Sequence, residues 1–468
     1  MPAGMAQPNS SGVDGVDDRL ALIDQGFFDS HRAIGQHEVM QVVWVYEHPI
    51  DLDGLRQFHT NLGYGLSGRL IERSPLPFGR HRWILDRGPA DIAFAEQPRA
   101  RSELGDWADE RAQIPVDPEH GPGWHLSVQP LTDGSTAVTF VVSHYIIDGV
   151  GGLVAVGDAV LGNKRDLGYL PPRTRTRPQL LIEDTRQVLR SAPEVARAIT
   201  ALAKLTLQRG RTKSEKSTAP PAIPSASIPL TPDELDAPFI LPGIAVLVDM
   251  DQWDARAKEL GGTSTTLAAA FAVRLGDGLG RRRASDGEVT LQIVMANRTP
   301  EDTRAIGVSV TSVSLDPAPL TNDLSSARVA FKRALTDLKE NPPVESEFLA
   351  LAPFTPKAVW VRGTEEQLNS PDVPVIYSNL GDAGMLVSRA DGTQCEHAWA
   401  RGTKQRTTRR QLERTGGYMQ VVSCRTPAIN KIYITVVAYH PGAENTKSAL
   451  RDLAARCLAE FGVTGEID

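Results

Sequence analysis

The chain has 468 residues, 41% hydrophobic and 23% charged, which is ordinary globular usage with apolar mass for two or three domain-sized cores. Its formal net charge of -7 argues against a protein that holds nucleic acid by overall positive charge. Three cysteines, Cys395, Cys424 and Cys457, form no Cys-x-x-Cys pair, which sets aside a disulfide framework or a zinc ribbon and fits a reduced, cytosolic setting.

The opening "MPAGMAQPNSSGVDGVDD" lacks a basic region followed by an apolar core, and residues 1 to 17 read as a disordered leader. "EVMQVVWVYEHPIDLDGLRQFHTNLGYGLSGRLIER" then predicts a strand, a turn, and a helix capped near Asp51 or Asp53. "GWHLSVQPLTDGSTAVTFVVSHYIIDGVGGLVAVGDAVLGN" predicts two strands joined at Asp133-Gly134 and then a helix of small residues, with His144 where the second strand stops.

Between Arg173 and Lys216 eleven Lys and Arg face four Asp and Glu, a local balance of +7 on a segment with helical spacing of Leu189, Val195, Ile199 and Leu202. A surface helix with a solvated basic face is the simpler reading, and peripheral contact with anionic lipid or an acidic carrier is the alternative. "RGRTKSEKSTAPPAIPSAS" reads as an exposed linker. The expected division is an N-terminal lobe over 18 to 178, a basic helix and linker over 179 to 227, and a C-terminal lobe over 228 to 468.

That second lobe opens with a strand, a helix, a Gly-rich break and another helix in "IAVLVDMDQWDARAKELGGTSTTLAAAFAVRLGDGL". Strands follow at "VTLQIVMANR", "VPVIYSNLG", "GYMQVVSCR" and "KIYITVVAYH", and a helix at "KSALRDLAARCLAEFG". "RGTKQRTTRRQLERTGG", 401 to 417, reads as a solvated basic loop, with the phosphates of CoA or phosphopantetheine as the alternative partner. The fold class is α/β, of mixed sheets with helices in both halves.

The chain has no Gly-x-Ser-x-Gly elbow, phosphate loop or His-Glu-x-x-His helix. Gly149-Val150-Gly151 opens a helix after a strand, but Val154 stands where a dinucleotide fingerprint needs its third glycine. His144 and Asp148 alone do not make a metal coordination sphere, and no metal is expected.

"FVVSHYIIDGVGG", 140 to 152, is left as the candidate for chemistry. A neutral imidazole accepts a proton from a hydroxyl or amine near neutral pH, and a strand end can hold it rigidly toward a cleft. Asp148 is placed either to cap the following helix or to bond an arginine, an organiser of the corner in both cases. Gly149, Gly151 and Gly152 admit a sharp turn and close backbone approach.

"HYIIDG" resembles the His-x-x-x-Asp-Gly signature of the acyltransferase superfamily that includes peptide-synthetase condensation domains, polyketide-associated acyltransferases and wax ester synthase/diacylglycerol acyltransferases. "ANRTPEDTRAIGVSV", 296 to 310, is similar to the Asn-Arg segment and Ile-Gly strand of condensation domains, and "VIYSNLGDAG", 375 to 384, to the Ser-Asn-x-x-Gly loop of the wax ester synthase branch. Ser143 stands where many members carry the first of two histidines, and no clear Asp-Phe-Gly-x-Gly loop is present.

The resemblance implies two chloramphenicol acetyltransferase-like lobes with an active-site tunnel between them and His144 near its middle. It implies acyl transfer from an acyl-CoA or phosphopantetheinyl carrier cosubstrate to a hydroxyl or amine acceptor, with His144 as base, no bound cofactor and no covalent intermediate. Arg298 is expected to pair with Asp148 across the lobes, and backbone N–H groups at Gly149 to Gly152, or Asn379, to receive the oxyanion. A catalytically silent lipid- or carrier-binding protein and a thioester hydrolase are the alternatives on the same fold.

Overall fold

A computed structural model of the chain describes residues 17–211, 231–299, 301–340, 348–368 and 373–468. All of the expected leader but Asp17, and most of the expected linker, lie outside the described residues.

The first lobe begins with helix α1 (Leu22–Ala33), which the sequence reading did not anticipate, because its inward face carries Asp24 and Gln25 beside Gly26 and Phe28 and so shows little apolar period. Strand β1 (His37–Tyr46) and helix α2 (Leu52–Leu62) follow as expected, and Asp51 caps α2 by accepting from the N–H groups of Asp53 and Gly54. A small hairpin, β2 (Arg69–Glu72) with β3 (Arg82–Leu85), precedes β4 (Ala93–Phe94) and α3 (Leu104–Ala112). The hairpin of β5 (Trp124–Pro130) and β6 (Thr136–Ser143) turns through Gly134, whose φ of 89° is a left-handed conformation that glycine adopts without strain. Helix α4 (Gly149–Leu161) then runs from the end of β6.

The basic segment is a single helix, α5 (Arg177–Arg211), starting two residues before the expected boundary. Leu180, Asp184 and Ala198 turn inward while Leu189 and Ile199 are exposed. Asp184 moors the helix to the first lobe through Arg19 at 2.9 Å and Arg82 at 2.5 Å.

The second lobe comprises a short helix α6 (Pro232–Asp236), β7 (Gly243–Asp249), α7 (Met250–Glu259), α8 (Ser264–Gly278), β8 (Val289–Ala296), β9 (Val308–Leu315) and α9 (Ser325–Glu340). After a helix over Lys357–Leu368 come β10 (Val375–Asp382), β11 (His397–Gln405), β12 (Tyr418–Thr426), β13 (Lys431–Tyr439), the helix Lys447–Glu460 and β14 (Glu466–Ile467). Leu267 to Val273 of α8 are all fully buried, so this helix is the spine of the second core. Each large aliphatic side chain buried there contributes about 1.5–3 kcal/mol.

The sheets have the orders β11-β1-β6-β5-β4 and β14-β7-β13-β12-β10-β8-β9, so each lobe is a mixed sheet with helices. The solvated-loop reading of 401–417 needs correction at β11. This strand comes from the second half of the chain yet pairs antiparallel with β1 and completes the first sheet. Its basic residues are buried because they have ionic partners: Arg401 lies 2.6 Å from Asp109 and donates to Gln41, and Lys404 lies 3.7 Å from Glu38. Residues 409–414 then form a helix capped by Thr408.

Candidate active site

The His-x-x-x-Asp-Gly corner sits between the lobes, held by hydrogen bonds to both. Ser143 ends β6 and is buried, whereas the following His144 is half-buried. The His144 N–H donates to the Glu38 carbonyl at 3.0 Å, extending the β6 to β1 pairing by one step. Tyr145, buried behind it, donates its hydroxyl to the Gln36 carbonyl and accepts from the Glu38 N–H. The imidazole lies 5.4 Å from the Phe27 ring between centroids. Its Nδ1 is buried with no hydrogen-bond partner, which leaves Nε2 as the ring nitrogen available to a reactant.

Asp148 does not reach the imidazole and has its carboxylate fully engaged elsewhere. One oxygen accepts from the Gly151 N–H at 2.7 Å, capping α4. The other accepts from Arg298 at 2.9 Å and from the Gly307 N–H at 2.6 Å, both in the second lobe. Both readings of Asp148, helix cap and arginine partner, therefore describe one residue. Arg298 also donates to the carbonyls of Asp302, Arg304 and Ala305, so the pair at 3% exposure on each side ties the loop between β8 and β9 to the corner of the first lobe.

A second carboxylate, Asp24 on α1, accepts from the N–H groups of Ala305 and Ile306 at 2.9 and 2.8 Å. Burial pushes its pKa above the usual carboxylate range, against the pull of those two bonds. Asp24 and Asp148 together bind three consecutive backbone N–H groups of the opposite lobe. Sequence reading missed Asp24, whose only signal is a polar residue on the buried face of an unrecognised helix.

The glycines differ in role. A Cβ on Gly149 would stand 2.8 Å from Leu380 of the second lobe, so the absence of a side chain permits that approach. Gly152 lies beside Met40 with ordinary clearance. Of the expected oxyanion donors, the Gly151 N–H is taken by the Asp148 carboxylate and the Gly152 N–H by the Asp148 carbonyl. Gly149 and Val150, in the first turn of α4, carry the N–H groups that remain. Asn379 is brought to the junction beside Leu380, but its amide donates to Thr265 at 2.9 Å and its oxygen accepts from Gly381, so one N–H is left for another partner.

Three further ionisable groups crowd the same junction and were not read from the sequence as site residues. Glu38 lies opposite His144 on β1, Lys404 opposite Glu38 on β11, and His31 on α1 stands 4.0 Å from the Glu38 carboxylate. Burial lowers the His31 pKa to about 4, despite the neighbouring carboxylate, and also lowers that of Lys404. On Glu38 burial opposes charge, yet His31, Lys404 and His144 outweigh it and hold the carboxyl below its usual range.

Two surface cavities, one of about 360 Å³ at Phe94, Trp107 and Gln129 and one of about 860 Å³ at Thr311, Val329 and Arg333, lie away from His144. Neither is the passage between lobes that the motif implies. Among the described residues no helix is long and apolar enough to cross a membrane.

No protein-family profile and no curated protein matches the sequence. Solved structures do match in fold. The first condensation domain of the CDA synthetase is 12% identical, with 98% of this chain and all of that chain covered at a TM-score of 0.55. The trichothecene 15-O-acetyltransferase of Fusarium sporotrichioides is also 12% identical, with 95% and 94% covered at 0.55. The wax ester synthase/diacylglycerol acyltransferase of Marinobacter aquaeolei is 15% identical, with 95% and 98% covered at 0.52. The chain has the two-lobed, chloramphenicol acetyltransferase-like fold of these proteins.

Proposed function

We propose that the protein transfers an acyl group from a CoA or carrier-protein thioester to a hydroxyl, or alternatively an amine, with His144 as general base. The observation that carries this reading is the corner itself: an imidazole with one free nitrogen at a rigid strand end, fixed between two lobes by the Asp148, Arg298 and Gly307 bonds. A residue placed only for packing would not require three donors from two lobes to fix the turn behind it.

In the proposed reaction, His144 Nε2 takes the proton of the acceptor hydroxyl as its oxygen attacks the thioester carbonyl carbon. The carbonyl electrons move to oxygen, where the Gly149 and Val150 N–H groups are placed to stabilise the developing charge. The C–S bond then breaks, and the imidazolium returns its proton to the thiolate. The acyl group passes directly to the acceptor, so no nucleophilic side chain is needed. Asp148 has no part in the proton transfer, since both its oxygens are engaged by Gly151, Arg298 and Gly307.

The test is to incubate wild type and His144→Ala with a panel of acyl-CoAs and pooled alcohols and amines, following free thiol and product mass. Wild type is expected to release thiol with a matching acylated product and His144→Ala to lose at least about 100-fold in rate, the lower range for general-base catalysis. Equal thiol release by both proteins would refute the assignment, and thiol release without an acylated acceptor would make the protein a hydrolase.

A further inference from the structure

Lys404 on β11, Glu38 on β1 and His144, the first residue past β6, form a row. The β11 to β1 register places Lys404 opposite Glu38, and the β1 to β6 register, carried one step past Val39 and Ser143 by the His144 N–H bond to Glu38, places Glu38 opposite His144. Directly opposed residues of antiparallel strands present their side chains on the same face, with Cβ atoms about 4.5–5.5 Å apart. The row thus runs cation, carboxylate, base.

The geometry points to Glu38 as a positioning residue that stabilises the imidazolium formed when His144 takes the acceptor's proton. The inference rests on His144 being the base proposed above. No direct hydrogen bond joins the carboxylate to the ring, so the effect is one of charge acting through space. Glu38 is suited to it for two reasons. Its backbone is fixed from both sides, with its carbonyl held by His144 and its N–H by the Tyr145 hydroxyl, so the motif positions it directly. Lys404, 3.7 Å away and packed 4.5 Å over the Tyr418 ring, favours the ionised form while standing on the side of Glu38 away from the base.

Other groups facing the carboxylate add no competing charge near neutral pH. His31 at 4.0 Å is held neutral by burial, and Tyr145 and Tyr418 have their phenol pKa values pushed up by burial.

The test uses the full chain with histidine carbon-13-labelled in the ring, the His144 signal being identified by its loss in His144→Ala. Its titration midpoint is expected to fall by about one pH unit in Glu38→Gln, the low end for loss of a neighbouring opposite charge, and by less in Glu38→Asp, which keeps the charge one methylene further back. Where turnover is measurable, the acid limb of kcat/KM should follow the same order, with kcat falling more than KM changes. A midpoint that is the same in wild type and a folded Glu38→Gln would overturn the inference, as would one that is unmoved in Glu38→Asp should Glu38→Gln not fold. The ring titration needs no substrate, so absence of acyl transfer would refute the base assignment separately, while an unmoved midpoint in an active enzyme would refute only the role of Glu38.

Discussion

Replacing Asp148 with alanine removes the acceptor for three donors at once and leaves the Arg298 guanidinium buried without its carboxylate. Breaking a buried ion pair from one side is worth about 3–5 kcal/mol, because the remaining charge keeps its desolvation penalty. Arg298 keeps the carbonyls of Asp302, Arg304 and Ala305, which softens that loss, while the uncapped Gly151 and orphaned Gly307 N–H groups add to it. These opposing terms leave the estimate at about 3–5 kcal/mol. Unfolding entropy near 2.1 cal/mol/K per residue gives about 1 kcal/mol/K for a chain of this length, so Tm should fall by about 3–5 °C. Calorimetry on wild type, Asp148→Ala, Arg298→Ala, the double variant and His144→Ala would check this. The double variant should be less destabilised than the sum of the singles by about 2 kcal/mol or more, and His144→Ala should stay within about 1 °C of wild type. An Asp148→Ala protein with native Tm and no activity would refute the reasoning, since Asp148 would then act in the chemistry.

Gly307→Ala places a Cβ 3.2 Å from the Arg298 guanidinium, whose four acceptors leave it little room to move. It is expected to destabilise by about 1–3 kcal/mol, the usual range for overpacking, and to lower activity, read by calorimetry and the acyl-transfer assay. Arg401→Met removes the bonds of β11 to Asp109 and Gln41 while Asp109 keeps Lys447 at 2.7 Å, so the expected cost is about 1.5–3 kcal/mol, the range for hydrogen bonds to a charged group; a change below about 0.5 kcal/mol would mean that strand pairing alone holds β11. His31, His125 and His440 have their pKa values lowered by burial to about 4, below the unfolded value near 6.5. Their contribution is therefore intact above pH 6.5 and lost as pH falls toward 4, where the unfolded chain binds protons that the fold excludes. Melting between pH 7 and 5 should show Tm falling with pH, and His125→Gln, which can still donate toward the Arg111 carbonyl, should flatten the slope.

The fold was most legible where the buried residues are apolar. Strands β5, β6, β8, β10, β12 and β13 and helix α8 read directly from period, length and turn chemistry. Two elements escaped for a common reason. Helix α1 buries Asp24 and Gln25, and strand β11 buries Arg401, Thr403 and Lys404, so each presents to its neighbours the residues that sequence reading assigns to solvent. Polar burial of that kind is stable only because partners wait elsewhere in the fold: the N–H groups of Ala305 and Ile306 for Asp24, Asp109 for Arg401, and Glu38 for Lys404. No local pattern can announce a partner that comes from a distant strand.

The candidate site divides along the same line. His144, Asp148 and the glycines were legible because a corner is a local object, with the strand, cap and turn in one run of residues. Arg298 and Asn379 entered through resemblance alone, and the structure gives them different work: Arg298 closes onto Asp148, whereas Asn379 ties β10 to α8 with one N–H to spare. Glu38, Lys404 and His31 gave no signal because what relates them to His144 is register between strands and the docking of α1. Register also explains how so strongly charged a row persists at a half-buried junction. Lys404 and Glu38 pair across β11 and β1, and the register puts Glu38 between the ammonium and His144, so the base stands nearer the carboxylate than the cation. Moving β11 by one residue would turn Lys404 to the opposite face and leave Glu38 without its cation, which makes the strand donated by the second half of the chain a part of the site as well as of the sheet.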